Sequence, residues 1–356
     1  MTPVEKVMIS LNGGHSATVP FTIYENKIPQ CRAERDMRNS GLCIVKRTVP
    51  VFRTYTPNVK RKQEVYVDNG RTMTRTYYET PCGVLSSLSE AAGFTSWTHE
   101  KLFKTPDDYK AIRFLLQDEV YEPCYDCLLQ AEKAAGGDII FRAGFGSEPL
   151  QTLISGGCLD MQDFCIEWMD NRDEILSLYE ILVENRRKIY PLVAESPVSH
   201  ANYGGNVVAE IIGLDTFEQY YIQHYNEAAE VMHKCGKYIG THLDGNCRLI
   251  AEAVAATELD YIEAFTPSPD TDMTLREARD AWPDKVLWLN YPSSLQLESD
   301  EKIRDRTVEM LNSLDSIDGI IMGITEDIPE HRWRDSCRAI MDGLDCHARQ
   351  NPALYN

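Results

Sequence analysis

From about residue 100 onward the hydrophobic pattern alternates between two rhythms. Amphipathic stretches such as "TPDDYKAIRFLLQDEV", "NRDEILSLYEILVENRRKI", "TFEQYYIQHYNEAAEVMHKCG", "CRLIAEAVAAT", "TLREARDAW" and "SDEKIRDRTVEMLNSL" predict helices. Several begin with Thr, Asn or Ser ahead of acidic residues, which offers acceptors and negative charge to the free N–H groups of a first turn. Between them lie short apolar runs, "GDIIFR", "YPLVAES", "YIGTHLD", "DYIEAF", "KVLWLN" and "GIIMGIT", which predict strands. The early "VPFTIYEN" belongs to the same set, and a further strand is expected near "LQTLISGG". Continuous apolar runs between helices mark parallel strands buried on both faces. About eight such units predict an α/β fold, a closed (β/α)8 TIM barrel. An open doubly wound sheet would bring a glycine-rich phosphate loop after its first strand, and no G-x-G-x-x-G or P-loop pattern occurs.

The first 100 residues read differently. "VKRTVPVFRTYTPNV" and "QEVYVDNGRTMTRTYYETP" alternate β-branched or aromatic residues with polar ones, and Asp68-Asn69-Gly70 is a strong hairpin turn. The expected organisation is a first barrel strand plus an antiparallel β cap in 1–100, an N-terminal β-hairpin extension of the barrel. The remainder of the barrel occupies 101–356, one structural domain overall.

Composition narrows the function classes. The chain has 356 residues, 43% hydrophobic and 26% charged, as in ordinary globular proteins. No apolar run is long enough to span a bilayer. "MTPVEKVMISLNGG" lacks the basic and apolar regions of a signal peptide, so a cytoplasmic address is expected. A net charge of −19 argues against nucleic acid or an anionic membrane as partner. The local exception is a basic cluster, Lys46, Arg47, Arg53, Lys60, Arg61 and Lys62, for which a solvated face is the simplest reading. Eleven cysteines follow no repeating frame. Cys124 and Cys127 form a lone CxxC in a segment that reads as helix, and without a second pair they make a poor zinc or redox site.

In a (β/α)8 barrel the chemistry sits where strands end and βα loops begin. Polar residues gather there: Tyr24, Glu25 and Asn26; Glu195, His200, Asn202 and Asn206; His242, Asp244 and Asn246; Glu263, then Asp270 and Asp272; Asn290; Glu326 and Asp327. Each has an ordinary alternative. Asn202 and Asn206 flank Gly204 and Gly205 in a turn, Asp270 and Asp272 precede a helix, and a strand-end Glu such as Glu195 often pairs with a neighbouring Arg or backbone amide. The pair in "GTHLDGN" is the sharpest, because residues two apart on a strand share a side. His242 and Asp244 both offer good zinc donors, and Glu263 or Glu326 could complete a three-ligand site.

From about residue 100 the chain resembles the uroporphyrinogen decarboxylase superfamily, in particular its corrinoid-dependent methyltransferase branch. The resemblance rests on "KCGKYIGTHLDGN", "ELDYIEAFTPSPDTDMTLREARDAW", "VLWLNYPSS" and "GIIMGITEDIP". Those methyltransferases carry His-x-Cys-Gly as zinc ligands where this chain has His242-Leu243-Asp244-Gly245, so His242 maps onto a ligand and Asp244 replaces the thiolate. No cysteine lies near "GIIMGIT", where the relatives supply a third thiolate; Glu326 is the nearest polar substitute. An oxygen-richer site suits an oxygen substrate better than a sulfur one. The arginine-rich motif of true porphyrinogen decarboxylases is missing from "HSATVPFTIYENKIPQ".

The resemblance implies methyl transfer from an O-methyl substrate, such as a methoxylated phenol, to the cob(I)alamin of a separate corrinoid protein. Zinc would be held by His242, Asp244 and Glu326, with Glu263 among the catalytic residues. Without metal, one of these acids, its pKa raised by burial, would protonate the leaving oxygen. Tyr24, Glu195, His200, Asn202, Asn206 and Asn290 are the expected substrate-binding residues, and the superfamily's habit makes a homodimer an expectation. Three alternatives stay open: a decarboxylase-like lyase on a non-porphyrin acid, which calls for cations at the barrel mouth; a methyltransferase on an N- or S-methyl donor; and a non-catalytic binding member of the fold.

Overall fold

The computed structural model describes residues 1–92 and 95–355. Its strands, numbered in chain order, are β1 (Phe21–Tyr24), β2 (Leu42–Lys46), β3 (Phe52–Tyr55), β4 (Lys60–Asp68), β5 (Arg71–Thr80), β6 (Gly83–Ala92), β7 (Thr95–Glu100), β8 (Val120–Pro123), β9 (Ile139–Phe141), β10 (Ala143–Gly144), β11 (His200–Asn202), β12 (Tyr238–His242), β13 (Tyr261–Phe265), β14 (Val286–Leu289) and β15 (Ile320–Ile324). They fall into two compact units interleaved along the chain.

The first unit comprises Met1–Val51, Cys124–Gly146 and Val193–Asn356. Its sheet is parallel throughout, in the order β10-β11-β12-β13-β14-β15-β1-β2-β9. The two ends of that order are one stretch of chain, because β9 and β10 are separated only by Arg142. β9 pairs with β2 and β10 pairs with β11, so the sheet closes on itself as an eight-stranded barrel. The (β/α)8 expectation is met. β13 and β15 are buried at every position, which explains their continuous apolar runs.

The N-terminal end of the barrel is closed by the helix Pro3–Leu11. Thr2 and Glu5 form a reciprocal capping box at its start, and Pro3 occupies the first turn, where a missing N–H costs nothing. Val7 and Leu11 of this helix are buried in a cluster with Cys43, Val45, Ile140, Val286 and Ile321 from four strands.

Two expected strands are helices. "LQTLISGG" lies in the helix Pro149–Ser155, and "YPLVAES" is the last part of the 23-residue helix Arg172–Ala194. Ile189, Tyr190, Val193 and Ala194 are buried, a helical stripe rather than alternation, and Pro191 sits on the exposed side. The strands that complete the barrel are instead Leu42–Lys46 and His200–Asn202, the second too short and too polar to show as a run.

The second unit comprises Phe52–Pro123 and Ser147–Leu192. It holds the antiparallel pair β3-β8 and the antiparallel sheet β4-β5-β6-β7. The hairpin turn falls where the sequence placed it: Asn69 and Gly70 both have positive φ, 49° and 79°, between β4 and β5. Helix Tyr109–Gln117 packs on β5 and β6, and Asn185 Nδ2 donates to its Leu116 carbonyl (2.8 Å). A single boundary at residue 100 therefore does not describe the organisation. Residues 1–51 hold two barrel strands, and 101–123 with 147–192 cluster with the antiparallel sheet.

Candidate functional site

The strand pattern carries one polar layer into the barrel interior near the C-terminal ends of the strands. Residues two apart share a side, so Gly240 and His242 of β12 face Tyr261 and Glu263 of β13. A Cβ at Gly240 would lie 2.3 Å from the Tyr261 ring, so glycine here is what admits the tyrosine. Register shifts between Glu263 and Phe265, and Ala264 sits at φ 62°, a bulge of the kind that re-aims side chains beside active sites.

Glu263 is the centre of this layer and is 0% exposed. Its Oε1 lies 2.9 Å from Arg142 Nη1 in a buried ion pair and accepts a hydrogen bond from the Tyr24 hydroxyl. Its Oε2 lies 2.7 Å from His242 Nδ1 and accepts from Asn202 Nδ2 at 3.0 Å. Arg142 Nη2 also donates to the Tyr24 oxygen (3.2 Å), and the Tyr261 hydroxyl lies 2.5 Å from Asn202 Oδ1. Burial alone would raise the Glu263 pKa, but Arg142 and then His242 outweigh it and hold the carboxyl far below its ordinary range. Tyr24 moves upward, chiefly by burial, so it stays a neutral donor.

His242 opens this network to the mouth. Burial would lower its pKa, yet Glu263 and Asp244 carry it up to about 9. Asp244 stays ionised: burial opposes this, but His242 lowers it below the usual carboxylate value. With Nδ1 engaged by Glu263, Nε2 faces Asp244 Oδ2 at 3.5 Å. Glu326, half-buried just past β15, completes a group in which one donor atom from each of His242, Asp244 and Glu326 lies within 4.8 Å of the others. Gly205 covers the ring from the loop after β11. Its φ is 147°, and a Cβ there would come within 3.1 Å of His242 Cβ.

The donor chemistry fits a metal ion. One imidazole and two carboxylates form a three-ligand oxygen-rich set suited to zinc. A ligating histidine usually gives its other N–H to a carboxylate, and Glu263 is placed for that. Glu263 itself has both oxygens engaged, so it is the orienting partner of His242 rather than a third ligand.

The expected acid role changes with the geometry. Glu263 and Asp244 are held ionised, so neither is an acid kept protonated by burial. In the metal-free site the proton at neutral pH resides on His242.

The structure sorts the remaining expected residues. Tyr24 and Asn202 belong to the network, but as buried partners of Glu263. His200 begins its strand instead of ending it and is buried toward the opposite end, its ring against Tyr261 and Trp288. Burial and then Arg142 push its pKa down to about 3, so it is a neutral core histidine rather than a substrate contact. Glu195 follows the end of a helix, exposed and ahead of β11, away from the mouth. Asn290 joins three strand ends: it donates to Thr266 Oγ1 (3.0 Å) and accepts from the Thr325 N–H (2.9 Å). Asn206 is exposed at φ 57°, a turn residue. Asp270 and Asp272 tie loops together through Ser294 and the Cys247 backbone.

Arg142 is the residue missed. "GDIIFR" predicts a strand, and the arginine ending it is the buried cation of the site. An arginine closing an otherwise apolar barrel strand was the available signal. A second cation, Arg47, is exposed after β2 with its guanidinium 3.7 Å from the centre of the Tyr24 ring. The barrel mouth therefore does carry positive charge.

No protein-family model matches the chain, and no curated protein matches its sequence. Among solved structures it is similar to a methyltransferase from Methanosarcina mazei, at 12% identity and TM-score 0.49, over 70% of this chain and 71% of that one. It is also similar to a putative vitamin-B12 independent methionine synthase from Listeria monocytogenes, at 14% identity and TM-score 0.38, over 71% of each chain. The GH20 catalytic modules of the pneumococcal exo-beta-D-N-acetylglucosaminidase StrH are similar at 10% identity and TM-score 0.41, over 96% of this chain and 86% of that one. Similarity at this level carries no inference about chemistry. Among the described residues no helix is long and apolar enough to cross a membrane.

Proposed function

We propose that the chain is a zinc-dependent methyltransferase that moves a methyl group from an O-methyl donor, an aryl methyl ether, to the cobalt of a partner corrinoid protein. The observation that carries this reading is the convergence of His242, Asp244 and Glu326 at the barrel mouth, with Glu263 behind the imidazole. Zinc bound there would supply a Lewis acid for the negative charge that develops on the ether oxygen. Glu263 keeps the proton on Nδ1, so Nε2 presents its lone pair toward the mouth. Arg142, Tyr24 and Asn202 fix Glu263 in turn. In such a transfer the C–O bond would break with its electron pair remaining on oxygen, and the methyl group would pass to the cob(I)alamin acceptor, whose reduced cobalt would supply the electron pair for the new bond. The βα loops around the site expose Val208, Ile211, Leu249 and Leu297, an apolar rim suited to a docking protein.

The test combines metal content with transfer. The purified chain should hold stoichiometric zinc, and His242→Ala should lose it along with methylation of cob(I)alamin from a panel of methoxylated phenols. A metal-free chain with undiminished transfer after His242→Ala would sink the zinc role. No transfer from any O-methyl donor would sink the reading.

One observation favours a second reading, a lyase acting on a small acid. Arg47 is exposed over Tyr24 and could receive a substrate carboxylate, whereas Arg142 is already committed to Glu263. Arg47→Ala would then raise KM for an acidic substrate and leave neutral methyl ethers untouched.

A further inference from the structure

The second unit carries an open strand edge whose sequence complements itself. β4 is an outer strand of the four-stranded sheet, paired on one side with β5. All nine of its residues, Lys60–Asp68, are exposed. The outward N–H and C=O groups of such a strand form a template for another strand. Apolar side chains accompany them: Val65 is 68% exposed and Val67 71%. The opposite edge, β7, is shorter and is interrupted by a register shift between Leu88 and Ser89, a device that discourages pairing.

Charge along β4 is segregated. Lys60, Arg61 and Lys62 occupy its first third, and Asp68 its end. A second copy running antiparallel brings the basic end of each strand to the acidic end of the other. Three registers place the apolar residues near the centre, and the one centred on Tyr66 opposes Glu64 to Asp68 at both ends, which is unfavourable. Centring on Glu64 sets the two Glu64 carboxylates opposite each other, which is unfavourable. Centring on Val65 sets Val65 against Val65, Glu64 against Tyr66, Gln63 against Val67, and Lys62 against Asp68 at both ends of the ladder. The register centred on Val65 leaves no like charges opposed and pairs β-branched residues at the axis.

We propose that two copies of this chain associate through β4, antiparallel and centred on Val65, joining two four-stranded sheets into one of eight strands. The contact is isologous, so it closes as a dimer and does not propagate. It is independent of the chemistry assigned to the barrel.

Sedimentation of the full-length chain tests this. The wild type should sediment as a dimer, and Val65→Asp, which opposes two carboxylates at the axis, should weaken self-association by roughly tenfold or more. Val65 is exposed in the single chain, so a circular dichroism spectrum and melting curve unchanged in Val65→Asp would show that folding is intact. Lys62→Asp and Asp68→Lys should each weaken self-association. An equimolar mixture of the two should recover it, because both end pairs then become Asp with Lys. A monomeric wild type would overturn the proposal. So would a dimer indifferent to Val65→Asp, or a mixture that pairs no better than its components.

Discussion

One region of the barrel is an apolar cluster that includes Val7, Leu11, Val45, Ile140, Val286 and Ile321. A second region, built by β1, β11, β12 and β13 and by Arg142 between β9 and β10, encloses Glu263, Arg142, Tyr24, Asn202 and His242. The apolar layer is stabilised piecewise, each side chain contributing by the area it removes from water. The polar layer works only as a set. Each charge costs several kcal/mol to bury and is tolerated because its neighbours are present.

The largest expected effect follows from breaking the set. Arg142→Met leaves Glu263 buried without its cation and should cost about 3–5 kcal/mol in urea denaturation. Arg142→Met combined with Glu263→Gln should recover part of that loss, since coupled neighbours are not additive. Strict additivity would refute the idea of a mutually dependent layer. In the apolar layer Leu11→Ala should cost about 3 kcal/mol as a plain cavity, and the loss should be the same at every pH between 6 and 9.

A smaller effect separates the layers by pH. In chain stripped of metal, His242 has a folded pKa of about 9 against an ordinary 6.5. Its contribution is therefore fully present below about pH 6.5 and is lost as pH rises through 9. Asp244 and Glu263 are displaced downward, so their contributions are present above the ordinary carboxylate range and are lost as acid protonates them. Denaturation midpoints should fall between pH 6.5 and 9.5, and His242→Gln should flatten that slope. An unchanged slope would mean that the histidine is not the titrating group. The smallest effect is at the closing helix, where Thr2→Ala removes the cap and should cost about 1 kcal/mol by thermal melting.

The sequence by itself determined the barrel class, the hairpin at Asn69-Gly70 and the two-residue spacing of His242 and Asp244, while the capped helix Pro3–Leu11 emerged only from the structure. These signals are local: apolar periodicity, turn chemistry, capping, and the alternation of a strand. The strands Leu42–Lys46 and His200–Asn202 escaped because β11 is three residues long and because apolar runs inside helices imitate buried strands. Only the tertiary structure decided which strand-end acid joins His242 and Asp244 in a group able to hold a metal and which stands behind the histidine. Glu263 and Glu326 look alike in sequence, yet one is enclosed by Arg142, Tyr24, Asn202 and His242 while the other lies free enough at the mouth to meet His242 and Asp244. The difference lies in partners brought from residues 24, 142 and 202. Charge and solvation at a buried carboxylate are set by such distant neighbours, and periodicity along one segment does not report them.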